Sequence, residues 1–467
     1  MMHDVAVLGG GPAGMAAASE AASAGARTVL LEESPLPGGQ VYRALPAGFA
    51  GPVDADRRTG DALRAALAAS GAELRTGCRV WGLGGGPLVP QGTEASPFTL
   101  SALGADGVPF TVTARALVLC TGTHERIIPF PGWTLPGVIG LAAATILLKA
   151  QGVLPGRCVV VAGVGPLLYA VAAKILAGGG RVAAVVDAAS RGEWLRALPA
   201  LAARPDLLAQ GLAWRAKLVA ARVPVLPGGQ ITAAEGDGVL ARVRVGGRVI
   251  EADALCIGHG LVPATEATRT YRARHEHRPA DGGWVPVLDA RQRTSVPLLY
   301  AAGDGAGVRG AAAAPLGGRI AARAALEDLG IAGMGAASDA AALDRARRAG
   351  AAMARMMALR PALVEAIPAE TVICRCEGVT RAAIDTAAAT GAATINQLKH
   401  FTRCGMGPCQ GRMCGEAAGA LLAAARGVPV SEVGFATGRI PLRPVPMEAI
   451  LGAFDYADIP VPAAAPI

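Results

Sequence analysis

Short apolar runs closed by glycine turns, each followed by an alanine-rich helical stretch, set the pattern of the first two thirds of the chain. Residues 3–8 read as a buried strand and Gly9-Gly10-Gly11-Pro12-Ala13-Gly14 as a tight turn. A helix follows and ends at Gly25, and residues 27–31 form a second strand. The order returns from residue 157. Residues 157–162 read as a strand, Gly163-Val164-Gly165-Pro166-Leu167-Leu168 as a turn into a helix, Gly178-Gly179-Gly180 as a break, and residues 181–186 as a strand ending at Asp187. Further on, residues 381–390 and 395–401 have helical patterns. The fold class is therefore α/β, with two Rossmann-like dinucleotide-binding halves and a small helical C-terminal module.

The first turn carries a nucleotide fingerprint. Gly9 permits the turn, Gly11 lets backbone approach a pyrophosphate at the positive end of the helix, and Gly14 lets helix and strand pack closely. The second strand delivers Glu32, with Glu33 beside it, to the ribose position. In a chain with 63 glycines a lone glycine pattern would say little; strand, helix and acidic residue together make it a nucleotide site. The second copy is imperfect, because Leu168 stands where the third glycine belongs and is expected to push the helix off its strand. Gly163 and Gly165 still serve the turn and the pyrophosphate, and Asp187 argues against a 2′-phosphate, hence against NADP. Two readings stay open for this half: a structural domain without nucleotide, or a second adenine-nucleotide site.

The 467 residues supply material for about two to four domains. The net charge of +8 comes from arginines scattered over every segment, with no basic run and few aromatics, which excludes nucleic-acid binding and leaves a solvated surface or an acidic redox partner. The chain enters its first strand almost at once, leaving no room for a secretory leader, so a reducing cytoplasm is expected. The longest uncharged run, 127–148, is broken by Pro129, Pro131 and Pro136 and reads as a linker and buried helix, not a transmembrane segment.

Of nine cysteines, Cys78, Cys120, Cys158 and Cys256 lie singly, and the other five fall between 374 and 414. Such clustering marks a metal site rather than a disulfide framework. Cys374, Cys376, Cys409 and Cys414 are spaced C-x-C-x32-C-x4-C, and Cys404 also forms a C-x4-C pair with Cys409, so spacing alone leaves the second pair open. Thiolates suit an iron–sulfur cluster. Zinc is the rival, but its structural sites favour pairs separated by two to four residues.

Three further segments carry a resemblance: Gly38-Gly39-Gln40, Leu119-Cys120-Thr121-Gly122, and Tyr300-Ala301-Ala302-Gly303-Asp304-Gly305. With them the chain resembles the two-dinucleotide-domain flavoprotein oxidoreductases of disulfide-reductase-like fold. The resemblance implies FAD, with Gly9, Gly11, Pro12, Ala13, Gly14, Glu32 and Glu33 on its ADP half, Gly39, Gln40, Thr121 and Gly122 along its course, and Gly303 with Asp304 on the ribityl side. The disulfide reductases carry a redox cysteine pair beside the flavin, and no comparable pair occurs here outside the C-terminal module. His124 and Glu125 follow at the presumed flavin edge, either as a proton-transfer pair or, more ordinarily, as loop caps or hinge contacts. Residues 252–263 resemble the return crossing into the FAD domain, which makes His259 part of a turn.

The cysteine spacing resembles the bacterioferritin-associated-ferredoxin-like [2Fe-2S] module, which implies Cys374, Cys376, Cys409 and Cys414 as ligands. Cys376 and Cys409 leave 32 residues between them, whereas Cys404 would leave only 27. Over nearly its whole length, and most specifically at Thr402-Arg403-Cys404-Gly405-Met406-Gly407-Pro408-Cys409-Gln410-Gly411-Arg412-Met413-Cys414, the chain resembles the α-type subunits of heteromeric flavin dehydrogenases. That family includes opine oxidase, D-hydroxyproline dehydrogenase, dye-linked proline dehydrogenase and hydrogen cyanide synthase subunits. It implies an FAD-binding domain at 1–140 and 285–330, a second Rossmann domain at 141–284, a helical connection at 335–370, a [2Fe-2S] module at 371–427 and an extended arm at 428–467. It also implies an electron-transfer role beside a β-type flavoprotein subunit that oxidises an amino-acid-type substrate (proline or hydroxyproline, an opine, or a glycine-like compound), often joined by a small ferredoxin-like γ subunit. The second Rossmann half would then hold NAD, ATP, an FMN shared with a partner, or nothing. Two other readings are a self-contained NADH-dependent FAD/iron–sulfur reductase and a non-catalytic nucleotide-binding scaffold.

Overall fold

A computed structural model describes residues 2–43, 45, 48–49, 55–86, 96–202, 204–331 and 337–451. Residues 335–336 of the expected connection and 452–467 of the expected arm lie outside them. The first sheet runs Glu73–Arg75, Thr28–Leu31, Met2–Leu8, Pro109–Leu119, Phe98–Leu103, Arg79–Gly84, with Leu299–Ala301 also paired to Pro109–Leu119. Val5, Ala6, Val7, Val29 and Leu30 are fully buried, as strands covered on both faces must be. One side of this sheet carries the helices Pro12–Ser23 and Ala313–Asp328, packed together through alanines and glycines. Register then does the placing. Leu8 stands opposite Leu31 and Leu119, and Ala301 opposite Leu119. Gly9, Glu32, Cys120 and Ala302 therefore leave the sheet together at its carboxyl edge, where doubly wound sheets bind ligands.

The second sheet is wholly parallel, in the order Val225–Pro227, Arg181–Asp187, Cys158–Gly163, Ala254–Gly258, Val138–Gly140. The chain passes between the two sheets on a short antiparallel ribbon, Thr123–Glu125 with Leu261–Pro263. The uncharged run becomes a buried linker, with Ile127, Ile128, Phe130 and Trp133 in the core, then the strand Val138–Gly140 and the helix Leu141–Ile146. Among the described residues no helix is long and apolar enough to cross a membrane.

The helix Ala337–Met356 lies along Ala313–Asp328, tied to it by Asp339, which accepts from Arg319 and Arg323 at 2.8 Å each. Beyond it a small module of the ribbon Val372–Cys374 with Val379–Thr380 and the helices Arg381–Ala389, Ile395–Thr402 and Gly415–Arg426 closes on its own core of Ile373, Ile384, Leu398, Leu421 and Leu422. Thr380 caps the first of these helices, and Thr394 with Gln397 forms a capping box on the second. The chain after this module returns to the first sheet, where the Leu442 N–H donates to the Trp81 carbonyl and the Leu442 side chain is buried.

Candidate functional site: a nucleotide edge beside a thiol cluster

At the carboxyl edge of the first sheet the Gly9 N–H donates to Leu31 and the Cys120 N–H to Leu8, so the fingerprint turn is fixed by its neighbours. A Cβ on Gly9, at φ +103°, would run into the Cys120 carbonyl, and one on Gly14 into the Gly9 carbonyl. Gly11 differs: among the described residues the nearest atom to its Cβ position is Gly39 Cα at 3.9 Å, which leaves its open side free ahead of the helix N-terminus. Pro12 and Ala13 open that helix, Ala13 packing against Gly303 and Gly318. The buried Glu32 accepts from Gly10 N–H at 2.5 Å and Ser34 N–H at 2.6 Å, one per oxygen, leaving each oxygen a further acceptor position. Gly39, at φ +59°, leans over Gly11. Glu33 and Gln40 are exposed, Glu33 pairing with Arg79 and Arg443 instead of facing the turn. Thr121 donates to the Ala264 carbonyl at 2.7 Å and Gly122 turns at φ +68°. Asp304 accepts from Arg309 and Gly310 N–H at 2.9 Å, and burial pushes its carboxyl above the usual range. The open backbone at Gly11, the spare capacity of Glu32 and the Asp304 carboxylate on the same edge fit a flavin dinucleotide.

The two hinge residues have separate environments. Glu125 accepts from the Ala142 N–H with both oxygens at 3.1 Å, and burial raises its pKa to about 8. It acts as a cap on Leu141–Ile146. His124 is held below its ordinary pKa by burial, and its Nδ1 has no hydrogen-bond partner among the described residues. His259 accepts at Nδ1 from Ile128 N–H at 3.1 Å, and burial lowers its pKa to about 3, so it is a neutral part of the return turn.

In the second Rossmann half Gly163 and Gly165 make the turn, but Asp187 does not present itself to a ligand. It is fully buried and accepts from Tyr169 OH at 2.9 Å, Trp194 Nε1 at 2.8 Å and Ala189 N–H at 2.9 Å. Leu168 is likewise fully buried, in the core of this half.

The five clustered cysteines converge. Cys374, Cys404 and Cys414 are buried with their sulfurs within 4.8 Å of one another, and the more exposed Cys376 and Cys409 sulfurs are 3.9 Å apart. Cys404 thus lies among the thiols. The chain reaches this density because Gly407 has no side chain: a Cβ there would overlap Cys376. Burial raises the Cys374 thiol pKa while Gly405 and Glu377 N–H groups oppose it; the Cys414 thiol is raised by its hydrogen bond with Cys404 and by burial. Such a donor set, soft sulfurs with backbone N–H groups aimed at them, fits an iron–sulfur cluster.

Two partly buried ion pairs, which the sequence patterns did not single out, dock this module on the hinge: Arg412 with Glu266 at 2.8 Å and Arg126 with Glu416 at 3.2 Å. His124, Glu266, Arg269, Arg412, Cys404 and Cys414 line one cavity of about 90 Å3 between hinge and thiols. Such pairs join residues up to 290 positions apart and leave no local pattern.

Residues 3–319 match the pyridine nucleotide-disulphide oxidoreductase family, and residues 370–453 match the sarcosine oxidase A3 domain. The chain belongs to the pyridine nucleotide-disulphide oxidoreductase family. It is a flavin-dependent oxidoreductase by that membership, which implies FAD. Hydrogen cyanide synthase subunit HcnB of Pseudomonas aeruginosa is 37% identical over 95% of this chain and 97% of its own. An opine oxidase subunit of Rhizobium meliloti is 37% identical over 95% of this chain and 86% of its own, and this chain is a member of the family those subunits form. Among solved structures, an L-proline dehydrogenase from P. horikoshii shares the fold, with a TM-score of 0.72 at 21% identity over 97% of this chain and 80% of that one.

Proposed function

We propose that this oxidoreductase is the electron-transfer subunit of a heteromeric dehydrogenase, carrying FAD at the first Rossmann edge and a [2Fe-2S] cluster on Cys374, Cys376, Cys409 and Cys414. The observation that carries the reading is the docking of the five-thiol module on the hinge of the flavin domain through Arg412–Glu266 and Arg126–Glu416. Flavin, when bound, takes up or releases electrons in pairs, and a cluster passes them singly. The residues of the chain hold the two groups near each other, and the Arg412–Glu266 and Arg126–Glu416 pairs fix their relation. Cys376 and Cys409, with sulfurs 3.9 Å apart, and the buried Cys374 and Cys414 would hold the cluster, with Cys404 as the fifth thiol beside them.

Cys120, the cysteine at the flavin edge, speaks against disulfide reduction. It is buried, its pKa is pushed up to about 12 by burial, and it therefore stays a thiol, a poor nucleophile. The relatives named above belong to larger assemblies, which supports a β-type flavoprotein partner oxidising an amino-acid-type substrate, with a small ferredoxin-like protein as a further partner. Nine cysteines without a disulfide suit a reducing cytoplasm. Affinity purification of the tagged chain from its own cells tests the assignment: a co-purifying flavoprotein, with amino-acid-dependent dye reduction only in the complex, is expected. Full NADH-dye reductase activity of the isolated chain would favour the self-contained reductase instead.

A further inference from the structure

We propose that the second dinucleotide cleft is filled from within: residues 353–360 of the chain lie where a dinucleotide's pyrophosphate would bind, and the second Rossmann domain is the seat that anchors the cysteine module. The two fingerprint turns make the comparison. At the first turn the open side of Gly11 faces free space, whereas a Cβ on Gly165 would come within 2.8 Å of the Met357 Sδ. The Met357 thioether therefore sits against the glycine that should face phosphate. Its carbonyl accepts from Arg126 Nη1 at 3.0 Å, and Met353, Met356 and Met357 pack with Val164, Ala189 and Trp194.

The strap is pinned at its far end. Arg360 Nη2 donates to Glu193 Oε1 at 2.8 Å, and Glu193 is itself locked into the capping box that opens Arg191–Leu201. The same helix supplies Trp194, one of three donors that consume Asp187, so the ribose carboxylate is withdrawn by the strap's own anchor. What remains of the cleft is a cavity of about 240 Å3 bordered by Phe130, Gly163, Val186, Gln230, His259 and Leu363, with neither lysine nor arginine among the described residues that line it. A diphosphate there would lose water without gaining a cation, which is unfavourable. From the end of the strap onward, Leu359, Leu363, Val364 and Ile367 enter the core of the cysteine module. One segment thus covers the second domain, bonds the hinge and roots the module. Leu168, the sequence departure, is not what blocks the turn.

The test uses the full chain and does not depend on the flavin reading. Wild type, Gly11→Val and the double variant Met357→Ala/Arg360→Ala are titrated anaerobically with NADH and separately with ADP by calorimetry, and their amide hydrogen exchange is mapped. The inference expects no saturable site for either nucleotide in the second domain. It also expects exchange over residues 163–170 to be about tenfold faster in the double variant, because opening there is limited by the strap. Saturable binding of one nucleotide per chain that persists in Gly11→Val would overturn it, as would unchanged exchange in the double variant. Binding that disappears in Gly11→Val belongs to the first turn; it would sink the FAD assignment while agreeing with a closed second cleft.

Discussion

Replacing Gly11 by valine separates flavin binding from folding. Gly11 caps the helix Pro12–Ser23 with φ −69° and ψ −178°, an extended conformation open to any residue, and its Cβ position meets nothing nearer than 3.9 Å. Valine is a poorer N-cap than glycine, at a cost of about 1 kcal/mol. Its side chain projects ahead of the helix N-terminus, into the room a pyrophosphate needs. If two charge-assisted hydrogen bonds of about 1.5–3 kcal/mol each are lost, FAD binding weakens by about 3–6 kcal/mol, or roughly 10²–10⁴-fold. The purified variant should therefore hold under about a tenth of the wild-type flavin, with a Tm within a few degrees once both are compared flavin-free. Flavin released by heat and counted per chain, beside thermal unfolding, makes the measurement. A soluble Gly11→Val chain with full flavin would refute the assignment. Gly9→Ala or Gly14→Ala cannot serve, because each would disturb the turn itself.

Serine at Cys376 or Cys409 should remove the visible absorption of the cluster, while Cys404→Ser should keep about two irons and two sulfides per chain; an empty site in Cys404→Ser with a full one in Cys414→Ser would exchange those two ligands. Glu125 has a folded pKa near 8 against an ordinary value of 4.5, so its contribution is fully present below about pH 4.5 and is lost as pH rises towards 8, where the unfolded state ionises first. Glu125→Gln should accordingly gain stability over wild type between about pH 5 and 8, by up to a few kcal/mol, and denaturant melts showing a pH-independent difference would contradict this. Arg126, buried and donating to Gly282, Met357 and Glu416, should cost about 3–5 kcal/mol when changed to alanine and should speed proteolytic release of the cysteine module; unchanged cleavage kinetics would remove it from the docking argument.

What the sequence shows of this fold is what is written locally. The strand, turn and helix around Gly9–Gly14 follow from spacing, since Gly9 and Gly14 answer close backbone contacts while Gly11 leaves room ahead of the helix, and the parallel register brings Asp304 to the same edge. The cysteine cluster was visible as a count and a spacing. The place of Cys404 was not, because a turn centred on Gly405 and Gly411 folds it back among the other sulfurs. Asp187 looked like a ribose ligand because its position says so; its partners Tyr169 and Trp194 lie on flanking helices and give no pattern with it. Met357 was hardest to foresee. An alanine- and arginine-rich helix carrying Met353 and Met356, with Met357 just past its end, reads as a connection, and only its path across Gly165 gives it a role.

Cofactor analysis of the anaerobically purified chain tests the central claim most directly. Flavin, iron and acid-labile sulfide are counted per chain, and the dithionite-reduced sample is examined for a paramagnetic signal. About one FAD, two irons and two sulfides per chain are expected, with a reduced-cluster signal that Cys376→Ser abolishes. Stoichiometric zinc without labile sulfide, or a folded chain that never holds flavin, would contradict it.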